Sequence, residues 1–273
     1  MRRWSAGTIS GPCRRLLVRL LGASGLKPMV KRLLRTARNS GLTVSMPQVL
    51  RALRHDPAAF TQGLHIHDGV LYESTGIFGK SSLRVIDLQT GEIMRTVPVA
   101  EQFAEGVAIL GDRLVQLIWR SQQALVYRLP ELAPLEPYAF SGEGWGLTAT
   151  AEHYLSSNGS DEIVYRDRRF KPVRSLKVRI NGLPLRGIND LAWAQGRIYC
   201  NVLRDDSIYV VSERDGKVLS ILDCSRLAQE AATPGPANVL NGIAYDPQTE
   251  TFYLTGKRWR KLFQVRFAGG GAS

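Results

Sequence analysis

The chain has 273 residues and a formal net charge of +12, but the first 55 residues hold 12 Lys and Arg and no acid, while the rest hold 24 basic and 24 acidic side chains. A formally neutral body lacks the basic face that a phosphate backbone requires, so a nucleic-acid-binding body is excluded. Three cysteines without metal or redox spacing, Cys13, Cys200 and Cys224, exclude a disulfide framework, and no run reaches the ~18 apolar residues of a membrane span.

Residues 1–46 read as a basic tail, disordered or weakly helical, that plays no part in the chemistry. Residues 16–26 come nearest to a signal-peptide core, but Arg19 interrupts them, and a secretory core is uninterrupted. Met29 and Met46 are alternative internal starts. Residues 268–273 read as a disordered C-terminal tail.

Residues 47–267 form the body. From Gln48 onward the chain alternates apolar and polar residues in short runs broken by Gly, Asp, Asn or Pro, the pattern of many short strands and tight turns. One pair recurs: Gln62-Gly63, Glu105-Gly106, Trp145-Gly146, Asn189-Asp190 and Asn241-Gly242, each followed by Leu64, Val107, Leu147, Leu191 or Ile243. Counted on the second member of each pair, the spacings are 43, 40, 44 and 52 residues. A self-similar period of about 45 residues marks an array of equivalent units.

Within each unit a first strand opens on this pair, with a mostly small residue (His65, Ala108, Thr148, Ala192, Ala244) where a crowded inner edge would need one. Second strands follow at Leu71-Tyr72, Leu114-Val115, Tyr154-Leu155, Ile198-Tyr199 and Phe252-Tyr253, then third strands. Fourth strands are clear at residues 93–99 and 218–222 and weaker near residues 138–140 and 174–178. The fifth unit runs out after its third strand, which leaves an open edge. The spare strand is Gln48–Arg54, at the other end of the chain. The expected fold is therefore an all-β, five-bladed propeller whose last blade is closed by an N-terminal strand. The longest insertion, residues 225–237, is expected to begin as a short helix.

The pair at each opening lies at one end of an inner strand, beside the axis. The antiparallel second strand returns to the same rim. Counting 13 residues from each opening, with two more in the fifth unit for its longer turn, gives Gly76, Trp119, Gly159, Leu203 and Lys257. Two rings thus face one mouth: Gln62, Glu105, Trp145, Asn189 and Asn241, then the second set, with Phe60 and Phe103 two residues ahead of the first ring. This predicts an aromatic-walled cup holding one carboxylate, one lysine and three amides, the make-up of a small-ligand pocket. Glu105 is the only acid in the two rings.

Several segments, Phe60-Thr61-Gln62-Gly63-Leu64, Tyr72-Glu73-Ser74-Thr75-Gly76, Glu143-Gly144-Trp145-Gly146-Leu147-Thr148, Asn238-Val239-Leu240-Asn241-Gly242 and Thr255-Gly256-Lys257, together resemble the plant and bacterial type of glutaminyl-peptide cyclotransferase. The resemblance implies a five-bladed propeller that converts N-terminal glutamine of peptides or proteins to pyroglutamate and releases ammonia. It implies Glu105 as the catalytic residue, and Gln62, Asn189, Lys257, Phe60, Phe103, Trp119 and Trp145 as its substrate-binding surroundings. Leu203 stands where the family usually has Trp, Asn158 where it has Asp, and Ala192 where an acid is typical.

The chemistry suits these groups. The α-amine attacks a carboxamide on its own residue, so positioning supplies much of the rate. One partly desolvated carboxyl can take a proton from the amine and give it to the leaving ammonia. Gln62 and Asn189 can hold the substrate, and Lys257 can either stabilise the tetrahedral oxygen or anchor a backbone carbonyl. No metal or other cofactor is expected, since His65 and His67 alone do not make a zinc site. A monomer is expected. Two rival readings are a non-catalytic propeller that binds a peptide or protein partner at the same mouth, and a metal-dependent propeller hydrolase, which would need several inward acids or histidines.

Overall fold

The computed structural model describes residues 42–99 and 101–267. Strands β1 (Thr43–Ser45) and β2 (Gln48–Arg54) come first. Blade one is β3 (Thr61–His67), β4 (Val70–Thr75), β5 (Ser82–Asp87) and β6 (Ile93–Pro98). Blade two is β7 (Ala104–Leu110), β8 (Arg113–Ile118), β9 (Gln123–Arg128) and β10 (Ala133–Ala139). Blade three is β11 (Leu147–Ala149), β12 (Tyr154–Ser157), β13 (Glu162–Arg166) and β14 (Pro172–Lys177), followed by a small hairpin of β15 (Arg179–Ile180) and β16 (Leu183–Pro184). Blade four is β17 (Ile188–Ala194), β18 (Arg197–Val202), β19 (Ser207–Ser212) and β20 (Val218–Asp223). The helix α1 (Ser225–Ala231) then leads to blade five, β21 (Leu240–Asp246), β22 (Thr251–Gly256) and β23 (Lys261–Arg266).

Each blade is an antiparallel meander, and β2 completes the fifth. It lies antiparallel to β23, with Gln48 opposite Arg266 and Arg54 opposite Lys261, which closes the ring as the missing fourth strand required. Leu53 is the one buried residue of β2, and its burial contributes about 1.5–3 kcal/mol to that closure.

Thr43–Ser45 falls inside the stretch expected to be a tail. It forms β1, parallel to the outer edge of blade four, with Thr43 opposite Ser220 and Ser45 opposite Leu222. The boundary of the body therefore lies ahead of residue 43. The outer edge of β20 offers unpaired backbone groups, and three extended residues suffice to cover them. The rest of the basic segment and residues 268–273 lie outside the described residues. The weak fourth strand of blade two begins earlier than its pattern suggests, at Ala133. It includes Pro134 and Pro137, which an outer edge strand tolerates, and its register breaks between Leu135 and Tyr138.

The core lies between blades. Leu155, Ile163 and Tyr165 of blade three pack on Leu191, Ile198 and Tyr209 of blade four. The same face-to-face packing joins blades four and five, two and three, five and one, and one and two. Cys200 and Cys224 are buried free thiols within these layers.

Candidate active site

The recurring pair seen in the sequence is a backbone irregularity. The ladder between first and second strands slips between Thr61 and Gly63, Ala104 and Val107, Ile188 and Leu191, and Leu240 and Ile243. A bulge leaves residues unpaired and re-aims their side chains. Gln62, Glu105, Asn189 and Asn241 are the residues so displaced; in blade three Trp145-Gly146 directly precedes β11. The glycine is needed because the openings touch one another around the axis. A Cβ on Gly106 would stand 2.4 Å from the Leu147 nitrogen, and one on Gly146 1.9 Å from the Asn189 carbonyl oxygen. Blade four has Asp190 in the glycine's place. Its buried Oδ2 accepts backbone N–H groups from Ile243 at 2.9 Å and Leu64 at 3.3 Å, tying the openings of blades five and one to blade four.

The second ring lies across the hairpin from the first. The backbone N–H groups of Gly76, Trp119, Leu203 and Lys257 donate to the carbonyls of Phe60, Phe103, Gly187 and Val239, each two residues ahead of a first-ring residue. Two members of this ring make room for aromatic rings: a Cβ on Gly76 would stand 2.5 Å from the Phe103 ring, and one on Gly159 2.7 Å from Trp145.

Between the rings lies a cavity of about 150 Å³ lined by Phe60, Gln62, Phe103, Glu105, Trp119, Trp145, Asn189 and Lys257, together with Leu203. The eight site residues that the family resemblance implies thus line one space. A cavity of this size holds a benzene-sized group. Phe103 is the hub of the wall, edge-on to Phe60 at 6.3 Å and tilted against Trp119 at 5.6 Å. Asn241 differs from its expected place at the cup. It donates to the carbonyls of Thr61 at 3.0 Å and Gln62 at 3.1 Å, so it ties blade five to blade one and leaves two amides in the cavity rather than three.

Glu105 is 6 % exposed, and Gln62 Nε2, at 3.2 Å from Oε1, is the only donor to its carboxyl among the described residues. Burial pushes its pKa well above the ordinary carboxylate value; the Lys257 ammonium opposes the rise, and Glu143 and Asp190 add to it. Lys257 is also buried, and burial lowers its pKa against the pull of Glu105 and Asp190. Its Nζ lies 5.1 Å from the centre of the Phe60 ring, a cation against an aromatic face. Asp190 beneath them is pushed up to about 8 by burial, against three backbone N–H donors.

Several contributors escaped the sequence reading. Glu143 accepts the indole N–H of Trp119 at 2.9 Å and of Trp145 at 3.1 Å on one oxygen, and Arg120 Nε at 2.8 Å on the other. It fixes the orientation of both tryptophans. Its position two residues before Trp145 was the available signal. Ile77, Arg204, Val239 and Arg258, with Pro236 and Ala237, complete the lining and mouth, and Ile77, Arg204 and Arg258 lie at positive φ in the turns after the second strands. Among the described residues no group of three or more His, Cys, Asp or Glu is placed to hold a metal ion. No described helix is long and apolar enough to cross a membrane.

A five-bladed propeller with a desolvated carboxyl, a desolvated ammonium and two amides inside an aromatic cup at its axis defines a small-substrate propeller of enzymatic type. The chain belongs to the glutamine cyclotransferase family, whose model matches residues 25–267. It is similar to the glutaminyl-peptide cyclotransferase of Arabidopsis thaliana, at 34 % identity over 231 residues, covering 82 % of this chain and 72 % of that protein. The crystal structure of Myxococcus xanthus glutaminyl cyclase shares its fold, with a TM-score of 0.78 at 31 % identity, over 82 % of this chain and 97 % of that one.

Proposed function

We propose that this chain is a glutaminyl-peptide cyclotransferase that converts the N-terminal glutamine of peptides or proteins to pyroglutamate, with Glu105 as its proton shuttle. The observation that carries the roles is the state of Glu105: a buried carboxyl with one neutral donor, open to a cavity that fits a single ring-forming residue.

The α-amine and the γ-carboxamide belong to one residue, so the cup's contribution is to hold them in a near-attack geometry. Asn189, whose Oδ1 has no partner among the described residues, and Gln62, whose Nε2 also meets Glu105, are the amides that hold the substrate's amine and carboxamide. A new bond forms between the α-nitrogen and the side-chain carbonyl carbon. Glu105 takes one proton from that nitrogen and passes it to the departing nitrogen as the old C–N bond breaks, so ammonia leaves and the carboxylate is regenerated. A carboxyl raised toward neutrality suits both transfers better than an ordinary one. Lys257 is buried and feels the charges of Glu105 and Asp190, whereas the other cations of the lining, Arg204 and Arg258, are less enclosed. This supports Lys257 as the group that takes the negative charge of the tetrahedral oxygen. A propeller that only binds a partner here has no use for an acid whose burial is costly.

The test is ammonia release from a Gln-initiated dipeptide by wild type and Glu105→Gln. The variant is expected to keep its fold and to lose about 10²–10⁴-fold in kcat. Turnover within a fewfold of wild type, with an unchanged melt, would remove Glu105 from the mechanism.

A further inference from the structure

A second cavity, of about 350 Å³, opens between blades two and three, with Phe140, Glu143, Ser156, Asn158, Arg166 and Lys171 among its walls. It is larger than the active-site cavity, and none of the chemistry above uses it.

Its inner wall carries Arg166, on β13, only 8 % exposed. Nε donates to Ser156 Oγ at 2.9 Å and Nη1 to the Phe170 carbonyl at 3.3 Å. The guanidinium lies against two rings, 5.3 Å from the centre of Phe140 and 4.8 Å from that of Phe170. Among the described residues no carboxylate approaches it within the 4.0 Å of an ion pair, and Nη2 has no acceptor. Burial alone pulls its pKa down, with no acid to hold it up. A buried cation left without a counter-charge is a cost to the fold.

The remaining polar groups of the cavity divide the same way. Glu143 has both oxygens committed, one to two indoles and one to Arg120. Asn158 has its Oδ1 committed to the N–H and hydroxyl of Ser160, at 3.1 and 2.6 Å, while its Nδ2 has no partner among the described residues. Lys171 is exposed at the opening and makes no ion pair among the described residues. The carboxylate and the carboxamide oxygen of the cavity are thus engaged, while three donors have no partner among the described residues: a guanidinium nitrogen, an ammonium and a carboxamide N–H. With the Glu143 charge offset by Arg120, Arg166 and Lys171 leave the wall net positive, and that complement fits a negative ligand with several acceptor oxygens.

We infer that this cavity binds a small oxyanion of the phosphate, sulfate or carboxylate class, held by Arg166 on its inner wall with Lys171 and Asn158 at its opening. Stacking on Phe140 and Phe170 accounts for where Arg166 sits. It does not account for a cavity lined by Arg166 with its Nη2 unpartnered among the described residues, nor for three free donors around that cavity. A purely structural Arg166 would cost stability on replacement without changing any response to anions.

The experiment is calorimetric titration of the full chain with inorganic phosphate, at constant ionic strength set by sodium chloride, for wild type, Arg166→Gln and Lys171→Ala. It needs no peptide substrate, so it stands or falls separately from the cyclotransferase reading. Saturable binding to wild type is expected. Arg166→Gln should weaken it about tenfold to a hundredfold, as for loss of a charge-assisted hydrogen bond, and Lys171→Ala about two- to fivefold. Absence of saturable heat with wild type overturns the proposal. So does a Kd that Arg166→Gln leaves unchanged or, should that variant fail to fold, one that the exposed Lys171→Ala leaves unchanged.

Discussion

Two glutamates of this propeller are almost wholly enclosed, and they have opposite fates. Glu73, on β4 of blade one, is 0 % exposed. It accepts His55 Nε2 at 2.9 Å and Thr61 Oγ1 at 2.6 Å, with Arg84 Nη1 3.5 Å from its other oxygen. Burial would raise its pKa, but His55, Arg84 and Thr61 outweigh burial and hold it below the ordinary value. Glu105 is enclosed to a similar degree, has one amide donor, and is raised instead. Enclosure is common to both, and partners decide the outcome. Glu73 is a structural ion, and Glu105 is left free to exchange a proton.

The partners of Glu73 also show what it does. His55 Nδ1 lies 2.9 Å from the Trp259 carbonyl. Glu73 and the Trp259 carbonyl can only accept, and the Thr255 hydroxyl, 3.4 Å from Nδ1, donates to the Lys261 carbonyl at 2.9 Å. Both ring nitrogens are thus placed to donate, which favours the charged imidazolium. His55 follows β2, Glu73 lies in blade one and Trp259 in blade five. The ion pair therefore locks the seam where the ring closes.

The largest effect expected from this contrast is the loss in kcat of Glu105→Gln, with no loss in Tm. The converse variant, Glu73→Gln, leaves His55 without its acid, while Arg84 keeps Asp56 at 3.0 Å, and should cost about 3–5 kcal/mol, as breaking a buried pair does. Its kcat, measured well below the melt, should stay within a fewfold of wild type. A Glu73→Gln protein that melts normally but has lost turnover would break the comparison.

The same pair sets a pH window. His55 is raised above 6.5 by Glu73 and the Trp259 carbonyl, which overcome burial, so its contribution is full below 6.5 and fades as pH climbs through its folded value. Glu73 is held below 4.5, so its contribution is full above 4.5 and fades as pH falls through its folded value. The Tm gap between wild type and Glu73→Gln should be widest between these two values and narrow on either side. A gap independent of pH would mean that the seam is not held by charge. The smallest effect concerns the cup wall. Leu203→Trp adds an aromatic face worth up to ~1–1.5 kcal/mol, so KM for Gln-peptides should fall by up to about tenfold. A KM that is unchanged or higher would place the substrate away from Leu203.

What the sequence disclosed and what it hid follow one physical division. The bulge residues recur because every blade needs the same close approach at the axis, so Gln62-Gly63 and its four counterparts repeat. The count of 13 to Trp119 and Lys257 works because the hairpins share a length. Asp190 shows in the sequence as an aspartate in a glycine's place, but its bonds reach Leu64 and Ile243, at separations of 126 and 53 residues, and no local pattern carries them. Asn241 looks like a cup amide by register, and only its contacts with blade one show that it is a fastener. Glu73 shows in the sequence as part of a motif without its partner, since His55 reaches it from the end of the strand that closes blade five. The three residues of β1 are too few to show a period.

The pairing of β2 with β23 has a consequence for how the molecule is made. Residues 48–54 leave the ribosome early, yet their partner is residues 261–266. At about 5–20 residues per second, the early strand waits roughly 10–40 s for its mate to be synthesised. Through that interval it is a bare edge in a crowded cell. Arg51 and Arg54 flank its apolar Leu53 with charge, a known defence against pairing with the wrong chain. Translation that stops short of Lys261 yields an open arc with two raw ends, not a smaller propeller.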